Sequence, residues 1–163
     1  MNGRINGQIK RRLTEWAKVF RSVMMHGAPH PNCYSKSAFV DGRIDHEQVR
    51  QFLEFTENVE AALQVDEWLQ RLRGMAPNCY TAILIHYVER EPGGLHRLTR
   101  IHRIRRWHSR TGLGRAWYYH QLRQGEWFVG KMMAYEESLT SLDKNHTISG
   151  SLSQLPPRGA AHI

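Results

Sequence analysis

Residues 97–125 read RLTRIHRIRRWHSRTGLGRAWYYHQLRQG, and this stretch constrains the fold more than any other part of the chain. Its centre, Thr111-Gly112-Leu113-Gly114, has the composition of a tight turn. Apolar residues recur at helical spacing on both sides of it, and they are Leu98, Ile101, Ile104, Trp107, Tyr118 and Leu122. The stretch therefore predicts two helices joined by a short turn. The second is expected to run from Arg115 to about Tyr135, with a bend or break at Gly125.

The same stretch concentrates the positive charge of the chain. The 34 residues from Pro92 to Gly125 contain eight arginines, no lysine and no acidic residue. Outside them the chain has 15 Lys+Arg and 15 Asp+Glu, so the whole formal net charge of +8 lies in this window. Such a concentrated field is typical of a surface that binds a polyanion, and the arginine fork suits phosphates and guanine edges. The alternative is a solvated helix face, although such faces usually mix both signs of charge.

Two short helices and a glycine turn in the most basic part of a small domain predict a helix-turn-helix at about residues 95–130. Leu113 is expected to be the buried residue of the turn, and Tyr118 and Leu122 to hold the second helix against the first. Counting back from Gly112, His108 occupies the position that a small residue usually fills. An ordinary helical hairpin with a basic surface is the alternative.

The N-terminal residues of a recognition helix are the ones that reach base edges. Arg115 is expected to read guanine, and Ala116 or Trp117 to contact a thymine methyl group. Arginines of the preceding helix are expected to contact phosphates and fix the register. The predicted DNA-binding residues are Arg97, Arg100, Arg103, Arg106, Arg115, Ala116, Trp117, Tyr119, His120 and Arg123.

The rest of the chain also has helical patterns, so we predict an all-α fold. An N-terminal helix of about five turns follows from the apolar stripe Ile5, Ile9, Leu13, Trp16, Phe20 and Val23. Its off-stripe bases, Lys10, Arg11, Lys18 and Arg21, form a second basic face or keep the helix soluble. After a loop at 26–43, Asp45 is a candidate N-cap for a helix that Gly74 stops, and Pro77 begins another that ends at Pro92-Gly93-Gly94.

We expect residues 1–138 to form a single helical domain. From residue 139 the composition shifts to Ser, Thr, Asn, Gly and Pro, which predicts a flexible tail at 139–163. Residues 41–67 carry eight acids and two bases, so this segment is expected to offset the basic window or to meet a protein partner.

Catalytic and metal-binding patterns are weak in this sequence. Cys33 and Cys79 make no disulfide framework, and His26, His30 and Cys33 match no common zinc spacing. A metal-dependent nuclease using His102 and His108 would need carboxylates nearby, which the basic window lacks. We therefore expect no enzymatic activity, no cofactor and no metal. The absence of an apolar run of 18 residues and of a signal region predicts a cytoplasmic protein without a membrane partner.

Four segments occur in a suggestive order, namely IKRRLTEWAKVFRS, VEAALQVDEWLQRL, APNCYTAILIHYV and TGLGRAWYYHQL. Over residues 8–133 this order resembles the lambdoid-phage late-gene antiterminator Q proteins of the small, zinc-free type, which carry a helix-turn-helix similar to that of bacterial sigma factors. The Trp-containing basic N-terminal helix and the paired Tyr118-Tyr119 carry most of the likeness. The loop 26–43, His108 and Gly125 depart from the pattern.

The resemblance implies an adaptor that binds double-stranded DNA near a phage late promoter and loads onto paused RNA polymerase, contacting its flap and the sigma factor. The loaded polymerase then ignores pauses and terminators. Nascent RNA and a second copy of the protein on DNA are further partners that it implies, in the cytoplasm of a bacterial host. An ordinary helix-turn-helix regulator is the main alternative; a metal-dependent phage nuclease and an RNA-binding protein are others.

Overall fold

The computed structural model describes residues 2–26, 39–40, 43–44, 46, 57–91 and 96–151. Almost all of these residues are helical, which confirms the predicted all-α class. The helices are α1 (Asn2–His26), α2 (Glu57–Met75), α3 (Pro77–Ile83), a π-helical segment (Leu84–Val88), α4 (Arg100–Thr111) and α5 (Arg115–Ser151). The chain divides into two compact units, Met1–Gly130 and Lys131–Ile163, whereas the sequence placed the boundary after residue 138.

The N-terminal helix is anchored by the apolar stripe that the sequence predicted. Ile9, Leu13, Trp16 and Phe20 of α1 are all buried. The Trp16 indole donates a hydrogen bond of 3.0 Å to the Asp66 carboxylate on α2, and His46 Nε2 lies 3.0 Å from the other oxygen of that carboxylate. Asp66 is therefore buried within the first unit, so it is not part of an acidic outer surface.

The connection from α2 to α3 is short because of Pro77. The preceding residue, Ala76, has φ −143° and ψ 76°, and Pro77 occupies the first turn of α3, as predicted. The helix then widens into the π-helical segment Leu84–Val88, which the sequence did not indicate. Ile83, the last residue of α3, and Ile85 within the segment are fully buried, as are Trp107 and Tyr118.

Of the four apolar residues spaced at steps of three in and before α4, only two are buried. Leu98, just before the helix, and Trp107 within it are buried as expected. Ile101, in contrast, is 64% exposed, and Ile104 is half-buried. Steps of three drift around an α-helix that has 3.6 residues per turn, so four positions spaced in this way do not stay on one face.

Gly125 does not break the last helix, because α5 continues through it. Gly125 is buried, and a Cβ atom at this position would lie 2.6 Å from Ile83 Cδ1. Gly130 has the same role towards α1, where a Cβ atom would lie 2.6 Å from Ile9 Cδ1. The two glycines let the backbone of α5 approach its neighbours more closely than any larger residue allows.

The last helix is longer than predicted, because α5 reaches Ser151 where a flexible tail was expected from residue 139. Its hydroxyl-bearing residues are accommodated within the helix. The Oγ atoms of Ser138 and Ser141 donate to carbonyls four residues earlier at 2.9 Å, and Thr140 Oγ1 does so at 3.0 Å. Residues 152–163 lie outside the described part of the chain.

Several predictions for residues 26–56 fall largely outside the described residues. His26 belongs to α1, and Phe39–Val40 pairs antiparallel with Arg43–Ile44 in the predicted loop. His30, Cys33, the Asp45 cap and the first part of the helix predicted to follow it lie outside the described residues, as does the predicted stop at 92–94.

Replacing Gly125 by alanine is expected to lower the free energy of unfolding. The new Cβ would lie 2.6 and 3.0 Å from two atoms of Ile83, a fully buried side chain. Overpacking of a core typically costs about 1–3 kcal/mol, which outweighs the gain of about 1 kcal/mol that alanine brings to a helix over glycine. Urea unfolding followed by circular dichroism measures the difference.

Gly7→Ala is the matched control, because Gly7 is an exposed helical glycine with no atom within 4 Å of the new Cβ. It is expected to gain the helical preference without overpacking and so to stabilise the protein. Equal stability of the two variants would contradict the close packing of α5 against Ile83.

Candidate nucleic-acid interface

The turn between α4 and α5 is held by a network of hydrogen bonds. Gly112 closes α4 with φ 70°, a left-handed conformation that favours glycine, and its amide donates to His108 O at 2.8 Å. Thr111 Oγ1 donates to Trp107 O at 2.8 Å and accepts from the Leu113 amide at 3.2 Å. The buried Trp107 indole donates to Gly114 O at 3.2 Å, which connects the first helix directly to the start of the second.

Two predicted details of the turn differ from the structure. Leu113 is half-buried, and the large buried side chain at the junction is Trp107, whose ring centroid lies 5.7 Å from that of Tyr118. His108 is exposed, and its Nδ1 lies 3.4 Å from Leu113 O. His108 therefore does not fill a packing position between the helices, and the departure from a small residue there needs no unusual helix crossing.

The predicted recognition residues of α5 are mostly exposed. Tyr118 and Leu122 face inward as predicted, which turns Arg115, Ala116, His120 and Arg123 outward. Trp117 is 53% exposed and makes an edge contact with His120 at 5.6 Å between ring centroids.

Tyr119 differs from the other recognition residues because it is half-buried. Its ring lies 5.0 Å from the Tyr118 ring, and the Arg115 guanidinium lies 6.0 Å above its centroid. The Arg115 guanidinium thus lies over the Tyr119 ring at the first turn of α5, at the distance of a cation–π contact.

The four predicted phosphate-contacting arginines separate into two pairs. Arg97 and Arg100 are exposed. Arg106 is half-buried, and its Nη1 lies 2.5 Å from Glu89 Oε2. The other oxygen of the Glu89 carboxylate pairs with Arg110. Glu89 is only 14% exposed, so this carboxylate fixes the two cations to the end of the π-helical segment. The contact of Glu89 with these two arginines could not be predicted from the sequence, because Glu89 lies outside the acid-free window.

Arg103, the other member of the second pair, lies beside His86. Its Nη1 is 3.4 Å from His86 Nδ1, which is also 3.1 Å from the Tyr118 hydroxyl. Arginine can only donate, so His86 Nδ1 is an acceptor and the neutral ring carries its proton on Nε2. Burial, followed by the charges of Arg103, Arg97 and Lys10, lowers the pKa of His86 to about 4.

Two arginines that the DNA-binding prediction omitted join Arg97 on the same face. A backbone bridge pairs Arg90 with Arg97, and Arg21 of α1 donates to Tyr87 O at 2.8 Å. Burial, and then the proximity of Arg90 and Arg97, lowers the pKa of the Arg21 guanidinium. The three cations are therefore close enough to repel each other, and an anion between them would relieve that repulsion.

Part of this cluster could be predicted from the sequence. Arg21 lies off the apolar stripe of α1, which made it a candidate for a second basic face. Arg90 is flanked by Glu89 and Glu91, which hid it among acids. In the structure Glu89 pairs with Arg106 and Arg110 of α4, and Glu91 contacts His102. Arg90 lies beside Arg97.

An apolar hollow adjoins the start of the recognition helix. Ile101 and Ile104 form its floor, and Arg100, Arg105 and Arg115 surround it. Ile101 and Ile104 thus lie on the basic surface, where they add apolar contact area next to Arg115.

The fold brings carboxylates to α4, contrary to the expectation that none lies near His102 and His108. Glu91 Oε1 is 3.2 Å from His102 Nδ1, while Glu89 binds Arg106 and Arg110. Within the described residues, however, no group of three or more His, Cys, Asp or Glu side chains is arranged to hold a metal ion. None of the described helices combines the length and the apolar character that crossing a bilayer requires.

Comparison of this chain with protein-family models, with curated proteins and with solved structures finds no match.

The stability of the protein is expected to fall as the pH decreases from 6.5 to 5, in part through His86. In this window the unfolded His86 takes up a proton, whereas the folded side chain, with a pKa of about 4, stays neutral. The unfolded state therefore binds more protons, and the free energy of unfolding decreases as the pH falls. Melting temperatures across this window measure the effect.

His86→Gln is expected to flatten this pH dependence, because glutamine offers an acceptor to Tyr118 and Arg103 without titrating. His120→Gln, at an exposed histidine of α5, is the control and is expected to keep the slope of the unmodified chain. A His86→Gln protein with an unchanged slope would show that His86 does not carry the effect.

Proposed function

We propose that this chain is a transcription antitermination factor that binds double-stranded DNA through its helix-turn-helix and loads onto paused RNA polymerase. Support for DNA binding comes from one observation above all, which is the set of exposed arginines beside the Gly112–Gly114 turn. Arg97, Arg100, Arg115 and Arg123 are exposed around two helices whose relative position the Trp107 indole fixes. A fixed helix pair with exposed cations suits recognition of a regular duplex.

Each exposed group has a distinct role in the proposed complex. Arg115, which lies over the Tyr119 ring, reads a guanine, and Ala116 and Trp117 contact neighbouring thymine methyl groups. Arg97, Arg100 and Arg123 contact phosphates. Arg21 and Arg90 extend the phosphate contacts beside Arg97.

Arg103 and Arg106 are revised to positioning residues in this proposal. Arg106 is bound to Glu89, and Arg103 Nε is buried without a hydrogen-bond partner, with Nη1 towards His86. Both would lose their present contacts on turning to phosphate. They contribute long-range positive potential and hold α4 against the π-helical segment.

The polymerase half of the proposal rests on the resemblance of residues 8–133 to the phage late-gene antiterminators. In that scheme the DNA-bound protein contacts the flap and sigma factor of the paused enzyme and then travels with it. Of the acidic residues at 41–67, Asp66 is buried and does not contribute to a charged surface. Glu67 is exposed on α2 and remains available to a protein partner.

An ordinary helix-turn-helix regulator is the second candidate, because it needs one DNA surface and a contact between two copies. The exposed apolar residues Tyr135, Leu139 and Leu142 of α5 favour it, since they provide a surface for such a contact.

Charge-removing changes are expected to separate phosphate contacts from positioning residues. Arg97→Gln and Arg100→Gln should each weaken binding to all DNA sequences and reduce the slope of log K against log salt by about 0.9. Arg115→Ala should cost about 1–3 kcal/mol and relax preference at one or two base pairs. Fluorescence anisotropy titrations at several salt concentrations measure both effects.

Arg71→Gln is the control for net charge, because Arg71 is exposed on α2 and lies outside the basic window. It removes the same charge and should change the salt slope little. A salt slope reduced equally by Arg71→Gln and Arg97→Gln would argue against a localised DNA surface.

In transcription, the protein is expected to raise read-through of an intrinsic terminator on templates that carry its DNA site and a promoter-proximal pause. Templates without the site, and the Arg115→Ala protein on the full template, should terminate normally. Single-round transcription with purified polymerase measures read-through and initiation in the same reaction. Reduced initiation with unchanged termination would overturn the antiterminator proposal and support the regulator.

A further inference from the structure

The second unit carries an apolar stripe of four residues on α5, of which three are exposed and Met132 is half-buried. Met132, Tyr135, Leu139 and Leu142 follow one another at steps of three, four and three residues. Tyr135 is 58% exposed, Leu139 41% and Leu142 56%. Large apolar side chains at this level of exposure, repeated along one helix, are unusual on a surface that meets only water.

The spacing of the stripe indicates what covers it. Alternating steps of three and four follow the seven-residue repeat of a left-handed coiled coil, in which apolar residues recur every 3.5 residues on average and one seam faces a partner helix. In heptad notation Met132 and Leu139 occupy a positions, and Tyr135 and Leu142 occupy d positions. We propose that a second copy of this chain covers the stripe, through a parallel two-helix coiled coil formed by this part of α5.

The charges beside the seam favour this occupant and this orientation. Lys131 occupies a g position, and Glu136 and Asp143 occupy e positions. In a parallel pair, g of one helix faces e of the next heptad of the other, which brings Lys131 to Glu136 of the second copy. In an antiparallel pair, e positions face each other, so Glu136 and Asp143 would meet like charges.

The seam is short, which sets the expected strength of the contact. Four apolar residues per copy cover about two heptads, less than the area of a typical stable interface. We therefore expect a concentration-dependent dimer. Two adjacent DNA sites would raise the effective concentration of one copy near the other and strengthen the pair without new protein contacts.

Sedimentation equilibrium of the full chain, without DNA, tests the proposal. The native chain is expected to fit a monomer–dimer equilibrium, and Leu139→Lys to raise the dimer dissociation constant at least tenfold. Ser141→Lys is the matched control, because Ser141 is exposed at an off-seam c position and gains the same charge. A native chain that stays monomeric at all concentrations, or equal effects of the two substitutions, would overturn the proposal.

A charge exchange tests the parallel orientation. Lys131→Glu and Glu136→Lys are each expected to weaken self-association several-fold. Mixing the two variants should restore it, because both g–e′ contacts of the mixed dimer then join opposite charges. A mixture no stronger than either variant alone would rule out the parallel pair. Since no DNA is present, these results are independent of whether the DNA-binding proposal holds.

Discussion

The hydrogen bond from the buried Trp107 indole to Gly114 O is the contact on which the candidate interface depends. It joins the C-terminal part of α4 to Gly114, the residue before α5, across a turn that the left-handed conformation of Gly112 makes possible. The Trp107 ring also packs on Tyr118, whose hydroxyl lies next to His86 in the π-helical segment. The side chain that fixes the turn thus also connects both helices to the core, which gives Arg115 a defined position.

The arginines of the basic window fall into two groups, according to whether the guanidinium has a carboxylate or a buried ring within reach. Where a carboxylate or a buried ring is within reach, as for Arg106 and Arg103, the guanidinium is used to hold α4 in place. Where the chain turns away, as for Arg97 and Arg115, the charge is left exposed. Glu89, which pairs with both Arg106 and Arg110, offsets part of the positive charge of this short helix from outside its own segment.

Local features of this fold could be predicted from the sequence, whereas contacts between distant segments could not. The stripe of α1, the start of α3 at Pro77 and the glycine turn follow from periodicity and backbone preference, which are properties of neighbouring residues. The Glu89 pairs, the position of Arg21 and the close approach at Gly125 depend on which segments the fold brings together. The helix beyond residue 139 was missed because serine and threonine were weighed as loop residues, although their hydroxyls bond to the helix backbone.

The distribution of the five tryptophans has a spectroscopic consequence. Trp16, Trp68 and Trp107 are buried, whereas Trp117 and Trp127 are more than half exposed. The intrinsic fluorescence of the folded chain should therefore contain a blue-shifted component that acrylamide quenches poorly and a red-shifted component that it quenches well. Trp117 contributes to the second and stands beside Arg115 at the start of α5. The chain thus carries a native optical probe at the surface where a bound duplex would shield it.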